Sequence, residues 1–244
     1  MTEQNGYRQH ISSQFSAELS TATAQLLQMG GVVEKQVLTA VEALIERDSG
    51  DAEVVIESDE VINAMEVSID EECFRILARR QPTASDLRLV LAVSKTTVDV
   101  ERIGDEASRI ARQAIILSEQ TEEHGAQLHT RRLARIVTDM LSGALDAFAR
   151  RDVEKALGIA RGGQEIDAES GAAMDVLAER IRQHPSCVDA GITVMWALRS
   201  LERVGDHARN IAEHVIYMVE GVDIRHAELD AVLDRLGGRD ATPD

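Results

Sequence analysis

Two acidic pairs stand at helical spacing in this chain, Glu101 with Asp105 and Glu202 with Asp206. Side chains four residues apart share one face of an α-helix, with Cβ atoms about 6 Å apart. Like charges so placed repel, and a hard cation is the natural relief. Carboxylate oxygens suit Mg, Mn or iron, because hard cations take oxygen ligands. Each aspartate follows a glycine, Gly104 or Gly205, and a glycine inside a helix costs about 1 kcal/mol relative to alanine. That cost points to a neighbouring helix or a ligand coming close. Asn210 and Glu213 extend the polar face of the second pair by one and two further turns, whereas the matching positions after the first pair are Arg109 and Arg112. The second copy is therefore expected to be the stronger cation site. The competing explanation is a solvated, self-neutralised face. Arg102 and Arg203 sit inside the two pairs, and Arg109 follows Asp105 by four residues in ion-pair spacing.

Other candidate groups carry less. His207 and His214, seven residues apart, could join a metal site but are expected to be solvated, and Trp196 is expected in the core. Cys73 and Cys187 are far apart, without the spacing of a zinc site, and are expected as small apolar core residues. No GxxxxGK[ST] loop, GxGxxG turn or catalytic triad arrangement is present. A carboxylate-bridged metalloenzyme, of the di-iron oxidase or hydrolase type, is the alternative to a binding protein. Di-iron bundles of that type use Glu-x-x-His, and none of the seven histidines has a glutamate three residues before it. A metal-free helical spacer is a third possibility.

The elements that must position the acidic pairs come in two sets. Apolar residues spaced by threes and fours (Leu26, Val33, Val37, Ala40, Val41, Leu44) predict a helix over Ala17–Arg47. The Asp48-Ser49-Gly50-Asp51 cluster stops it, a second helix runs from Ala52 to about Arg80, and Gln81-Pro82 ends that. Thr83, Ser85 or Asp86 can cap a third, reaching about Glu119, before a loop containing Gly125. The pattern then recurs: Leu128–Arg151, a helix opened by Asp152 and running to Gln183, a break at His184-Pro185, and a last helix from Ser186 to Gly221.

Three landmarks share an offset to within three residues. Pro82 and Pro185 are 103 apart, the Arg47-Asp48 and Arg151-Asp152 junctions 104, and Val-Glu-Arg-Ile-Gly-Asp at 100–105 returns as Leu-Glu-Arg-Val-Gly-Asp at 201–206. The chain is a duplication. The expected fold is all-α, with six long helices in two pseudo-symmetric three-helix bundles. Expected bounds are 1–121 and 122–221, followed by a polar tail over 222–244 with one helical turn around Leu229–Leu236.

Composition agrees with a helical protein more than with a nucleic-acid or lipid binder. The formal charge is −17, from 26 Lys+Arg against 43 Asp+Glu, and such a surface repels phosphate backbones and anionic headgroups. Hydrophobic residues reach 44% with only 2% aromatic, a core of small aliphatic side chains that suits bundles. No segment has the length and apolarity of a membrane span, and the first residues lack the pattern of a secretory leader. A cytoplasmic protein is expected, with neither nucleic acid nor direct membrane insertion.

The segment Arg79-Arg80-Gln81-Pro82-Thr83-Ala84-Ser85-Asp86-Leu87-Arg88, followed by the two ERxGD copies at 101–105 and 202–206, closely resembles the PhoU family of accessory regulators of bacterial phosphate-specific transport. The resemblance spans roughly residues 7 to 226. It implies two pseudo-symmetric three-helix bundles, commonly a homodimer, and multinuclear sites for iron, zinc, magnesium or manganese. Carried over by position, the ligands are Glu101 and Asp105, then Glu202, Asp206, Asn210 and Glu213; Arg109 and Arg112 depart from the fuller pattern in the first bundle. It further implies a non-enzymatic adapter between the phosphate ABC transporter, through its ATPase subunit, and the PAS domain of a membrane sensor histidine kinase. Such an adapter represses phosphate-starvation genes and restrains uptake when phosphate is plentiful.

Overall fold

A computed structural model describes residues 2–121 and 125–224, with side chains from residue 14 onward. Among these residues the structure is helical throughout, with no strand. Helix α1 runs Thr2–Glu46, α2 Ser49–Arg80, α3 Ala84–Ser118, α4 Gln127–Arg150, α5 Val153–Ala160, α6 Gly163–Gln183 and α7 Val188–Glu220. The first helix begins some fifteen residues earlier than its apolar periodicity announces, because nothing in that stretch breaks a helix except the single Gly6. The expected turn at Leu229–Leu236, and the tail beyond residue 224, lie outside the described residues.

The repeated Arg-Asp junctions have a shared geometry. Arg47 and Arg151 both adopt the left-handed conformation, at φ 58° and 56°. The next residue's N–H reaches back to the carbonyl five earlier: Asp48 to Ala43 and Asp152 to Ala147, both at 2.9 Å. Each aspartate then caps the following helix. Asp48 Oδ1 accepts from the N–H groups of Gly50 (2.9 Å) and Asp51 (3.1 Å), and Asp152 Oδ1 from that of Lys155 (3.0 Å). One residue closes a helix and the next opens its successor, so the chain folds back at once. At the third helix Thr83 occupies the cap position without a side-chain bond.

The middle helix of the second half departs from expectation. It is interrupted at Arg161-Gly162, where the Gly162 N–H bonds the Ile159 carbonyl at 2.9 Å. Two adjacent glycines, 162 and 163, remove the propensity that would carry the helix through. The last helix is entered by a single 3-10 turn, Pro185–Cys187, and ends at Gly221, whose φ of 71° lies in the left-handed region that favours glycine.

Helices α3 and α7 form the spine. Helix α3 packs against α1, α2 and α7; α7 packs against α3, α4, α5 and α6; and α1 also meets α4. The spine helices run antiparallel: Arg88 meets Met218, Asp99 meets His207 and His214, and Glu106 meets Arg203. Arg88 donates to the carbonyls of Met218 (3.1 Å) and Val219 (3.5 Å), satisfying the last turn of α7 from the first turn of α3. The apolar core is continuous across both halves, through Leu26, Met29, Ile62, Ile69, Ile103 and Ile110 on one side and Leu133, Leu141 and Phe148 on the other. Burying each such side chain contributes about 1.5–3 kcal/mol, so the two halves stabilise each other. Cys73 and Cys187 are buried thiols within this packing, and burial pushes the Cys73 thiol up to about 12.

Candidate functional site

Glu101 and Asp105 face α2, which contributes carboxylates of its own. Glu101 is half-buried, and burial followed by the charges of Asp105, Glu66 and Asp59 raises its pKa against the opposing pull of Arg102. Glu66 is raised in the same way, by burial and then by Asp70 and Asp105. Five carboxylates, Asp59, Glu66 and Asp70 on α2 with Glu101 and Asp105 on α3, therefore share one α2/α3 surface. Two of them are oriented by hydroxyls: Ser108 Oγ donates to Asp59 (3.1 Å) and Ser94 Oγ to Asp70 (2.8 Å). The patch is open. Among the described residues no three Asp, Glu, His or Cys side chains are placed closely enough together to hold a metal ion. Its donor chemistry, oxygen only and under mutual repulsion, fits a hard cation that keeps part of its water.

The second pair is neutralised by arginines. Glu202 accepts from Ser170 Oγ and from Arg199 NH1 (2.5 Å), and Asp206 pairs with Arg209 at 3.0 Å. Glu202, Asp206, Arg199 and Arg209, with Asp167, line a small cavity of about 120 Å³. Asn210 is not part of it. Its amide crosses to α3 and donates to Asp99 Oδ1 at 3.0 Å, and Glu213 is half-buried. The surroundings of the two pairs differ: α2 adds three carboxylates beside the first, and Arg199 and Arg209 pair with the second. Arg109 lies 4.0 Å from Asp105 but makes its closer bond, 2.5 Å, to Glu106.

The two costly glycines serve helix packing. A Cβ on Gly205 would lie 2.2 Å from Ile166 Cδ1 of α6, whereas one on Gly104 would meet Gln36 and Ile62 at an ordinary 3.4 Å. His207 and His214 are not solvated as expected: both hold Asp99, a buried carboxylate on α3. His207 Nδ1 approaches Asp99 Oδ1 at 2.8 Å and His214 Nε2 approaches Oδ2 at 2.9 Å. Burial alone would raise the Asp99 pKa, but hydrogen bonds from His207, His214 and Asn210 override it and hold the group below the usual carboxylate range. Trp196, expected in the core, is 61% exposed. Asp99 has no sequence signal, since its partners lie more than a hundred residues away. The α2 carboxylates had one, because Asp59, Glu66 and Asp70 repeat at seven and four residues.

The duplicated bundle can be placed by comparison. The family model described as PhoU domain matches the chain twice, over residues 26–114 and 130–215. The chain belongs to the PhoU family. A Pseudomonas putida protein named phosphate-specific transport system accessory protein PhoU homolog is 51% identical, covering 98% of this chain and 93% of that protein. The Escherichia coli K12 protein named phosphate-specific transport system accessory protein PhoU is 42% identical, covering 95% and 96%. The crystal structure of PhoU from Pseudomonas aeruginosa superposes with a TM-score of 0.82 at 52% identity, covering 85% of this chain and all of that one. The PhoU fold is thus shared over 85% of the chain, and each family match contains one ERxGD copy. Among the described residues no helix is long and apolar enough to cross a membrane.

Proposed function

We propose that this chain is a non-enzymatic regulator of phosphate homeostasis, an adapter between the ATPase subunit of a phosphate ABC transporter and the PAS domain of a membrane sensor histidine kinase. In this reading it works at the cytoplasmic face, as a homodimer, repressing phosphate-starvation genes and restraining uptake when phosphate is plentiful. The observation that carries the proposal is the near full-length identity to proteins named as accessory to phosphate-specific transport. The geometry agrees with it: the polar groups lie on open helix faces and along the α3/α7 seam.

Within this reading the α2/α3 patch holds a divalent or trivalent cation (Mg, Mn, Fe or Zn), with Glu101 and Asp105 as ligands beside Asp59, Glu66 and Asp70. Glu202 and Asp206 form the weaker site, with Asn210 and Glu213 further along the same helix. A bound cation supplies positive charge, cancelling repulsion between α2 and α3 and bracing the two helices. Deleting the gene tests the regulatory role. Starvation genes should stay on in abundant phosphate, and normal repression would refute it. Oxidase or phosphatase turnover that vanishes on Glu202→Ala would overturn the non-enzymatic reading.

A further inference from the structure

The duplication makes the α3/α7 seam its own control. Adding 101 to an α3 position gives its α7 counterpart, so Asp99 corresponds to Ser200, and Glu106, Arg109 and Gln113 correspond to His207, Asn210 and His214. At one end of the seam Asp99 is clasped by His207, Asn210 and His214, and that end is closed. At the other end Ser200 stands in place of the carboxylate; of the three counterpart positions Arg109 and Gln113 are donors, while the third, Glu106, is a buried carboxylate that already joins Arg109 and Arg203. There Arg109, Gln113 and Ser200, with Arg199, Arg203 and Trp196, line a cavity of about 300 Å³.

Every charged residue lining this cavity is an arginine, in a chain whose formal charge is −17. Glu106 binds Arg109 (2.5 Å) and Arg203 (3.2 Å), and Glu202 binds Arg199 (2.5 Å). A guanidinium carries five N–H donors, so these pairings leave donors for a further acceptor. The flanking positions differ in the same sense. Lys95 and Tyr217 close one end as a cation–π pair at 5.2 Å. Their counterparts, Trp196 and Ile116, are 61% and 45% exposed. Ile192, one turn before Trp196, is also exposed and extends the apolar strip. Tryptophan and arginine together are the side chains most enriched where protein partners bind tightly.

We infer that this end of the seam is a docking site for a partner protein, which inserts an aspartate or glutamate between Arg109, Gln113 and Ser200 and lays an apolar side chain on Trp196. The incoming carboxylate takes the part that Asp99 plays at the other end. The inference rests on the adapter reading and names the surface that reading uses.

Trp196 is the only tryptophan, so its fluorescence reports on this site alone. Purified transporter ATPase subunit and, separately, the cytoplasmic region of the sensor kinase are titrated into the full chain, followed by Trp196 emission and by sedimentation. One of them should bind and shift the emission. Ser200→Asp rebuilds the Asp99 arrangement from within; it should keep or raise Tm and weaken binding about tenfold or more, the scale of a buried interfacial charge pair. Ser200→Ala should bind like the parent, and Trp196→Ala, read by sedimentation, should bind weakly. If Ser200→Asp and Trp196→Ala both bind as the parent does, the docking site is wrong and the adapter reading stands. If neither protein binds the parent chain, both fall. If Ser200→Asp instead converts the chain alone from dimer to monomer, the occupant is a second copy and the inference is overturned.

Discussion

Asp99 and Glu101 are two residues apart on α3, yet their surroundings act on them in opposite directions. Asp99 turns into the seam, where three donors hold its charge, whereas Glu101 turns toward α2, where like charges oppose it. The pH dependence follows from the sign. A carboxylate whose folded pKa is depressed contributes stability that is complete above its unfolded value, about 3.9, and lost as pH falls through the folded value. Asp99→Asn should therefore flatten the decline in stability that denaturant melts show below about pH 4. An unchanged acid limb would remove Asp99 from that account. At neutral pH the same variant keeps one acceptor oxygen and turns the other into an NH2 donor, so one of His207 and His214 loses its acceptor and stability should fall by about 1–3 kcal/mol. At the cation patch, Asp105→Ala should lower Mn or Mg retention, measured by metal analysis and by the ion-induced rise in Tm, more than Asp206→Ala does. Equal losses would contradict the ranking drawn from Asp59, Glu66 and Asp70.

The helices show why some of this could be read in the amino-acid order and some could not. Arg47-Asp48 and Arg151-Asp152 are local devices, a left-handed stop followed by a capping carboxylate, and local chemistry is visible in a string of residues. Gly104 and Gly205 were legible as close approaches but not as unequal ones, because the separation depends on how α6 lies after its break at Arg161-Gly162. Asp99 was invisible, its ligands being brought by α7 from across the duplication. Trp196 was misplaced in the core for a related reason: helical spacing puts it on a stripe with Ile192 and Val188 but does not say whether another helix covers that stripe. The glycines give a paired test. Gly205→Ala should cost about 1 kcal/mol or more by crowding the Ile166 methyl, and Ile166→Val should restore most of the loss. Gly104→Ala, with only ordinary contacts, should be neutral or stabilising by up to about 1 kcal/mol. Equal Tm changes at the two glycines would refute the contrast.

At the scale of the whole molecule, the apolar interior passes from α1–α3 into α4–α7 as one connected cluster, alongside the buried polar contacts of the α3/α7 seam. Arg88 ties the first turn of α3 to the last turn of α7, and Asp99 ties the same two helices again on that side of the seam. Calorimetry should accordingly show one unfolding transition, with equal calorimetric and van't Hoff enthalpies. Two resolved transitions would mean that the seam is weaker than its packing indicates. A protein assembled from two identical half-length chains would have to carry the same side chain at both related positions, so any change would be made twice. Covalent fusion lifts that constraint. One half could keep an aspartate that locks the seam while the other lost it, leaving a single molecule with a permanently bolted end and an end free to take a visitor.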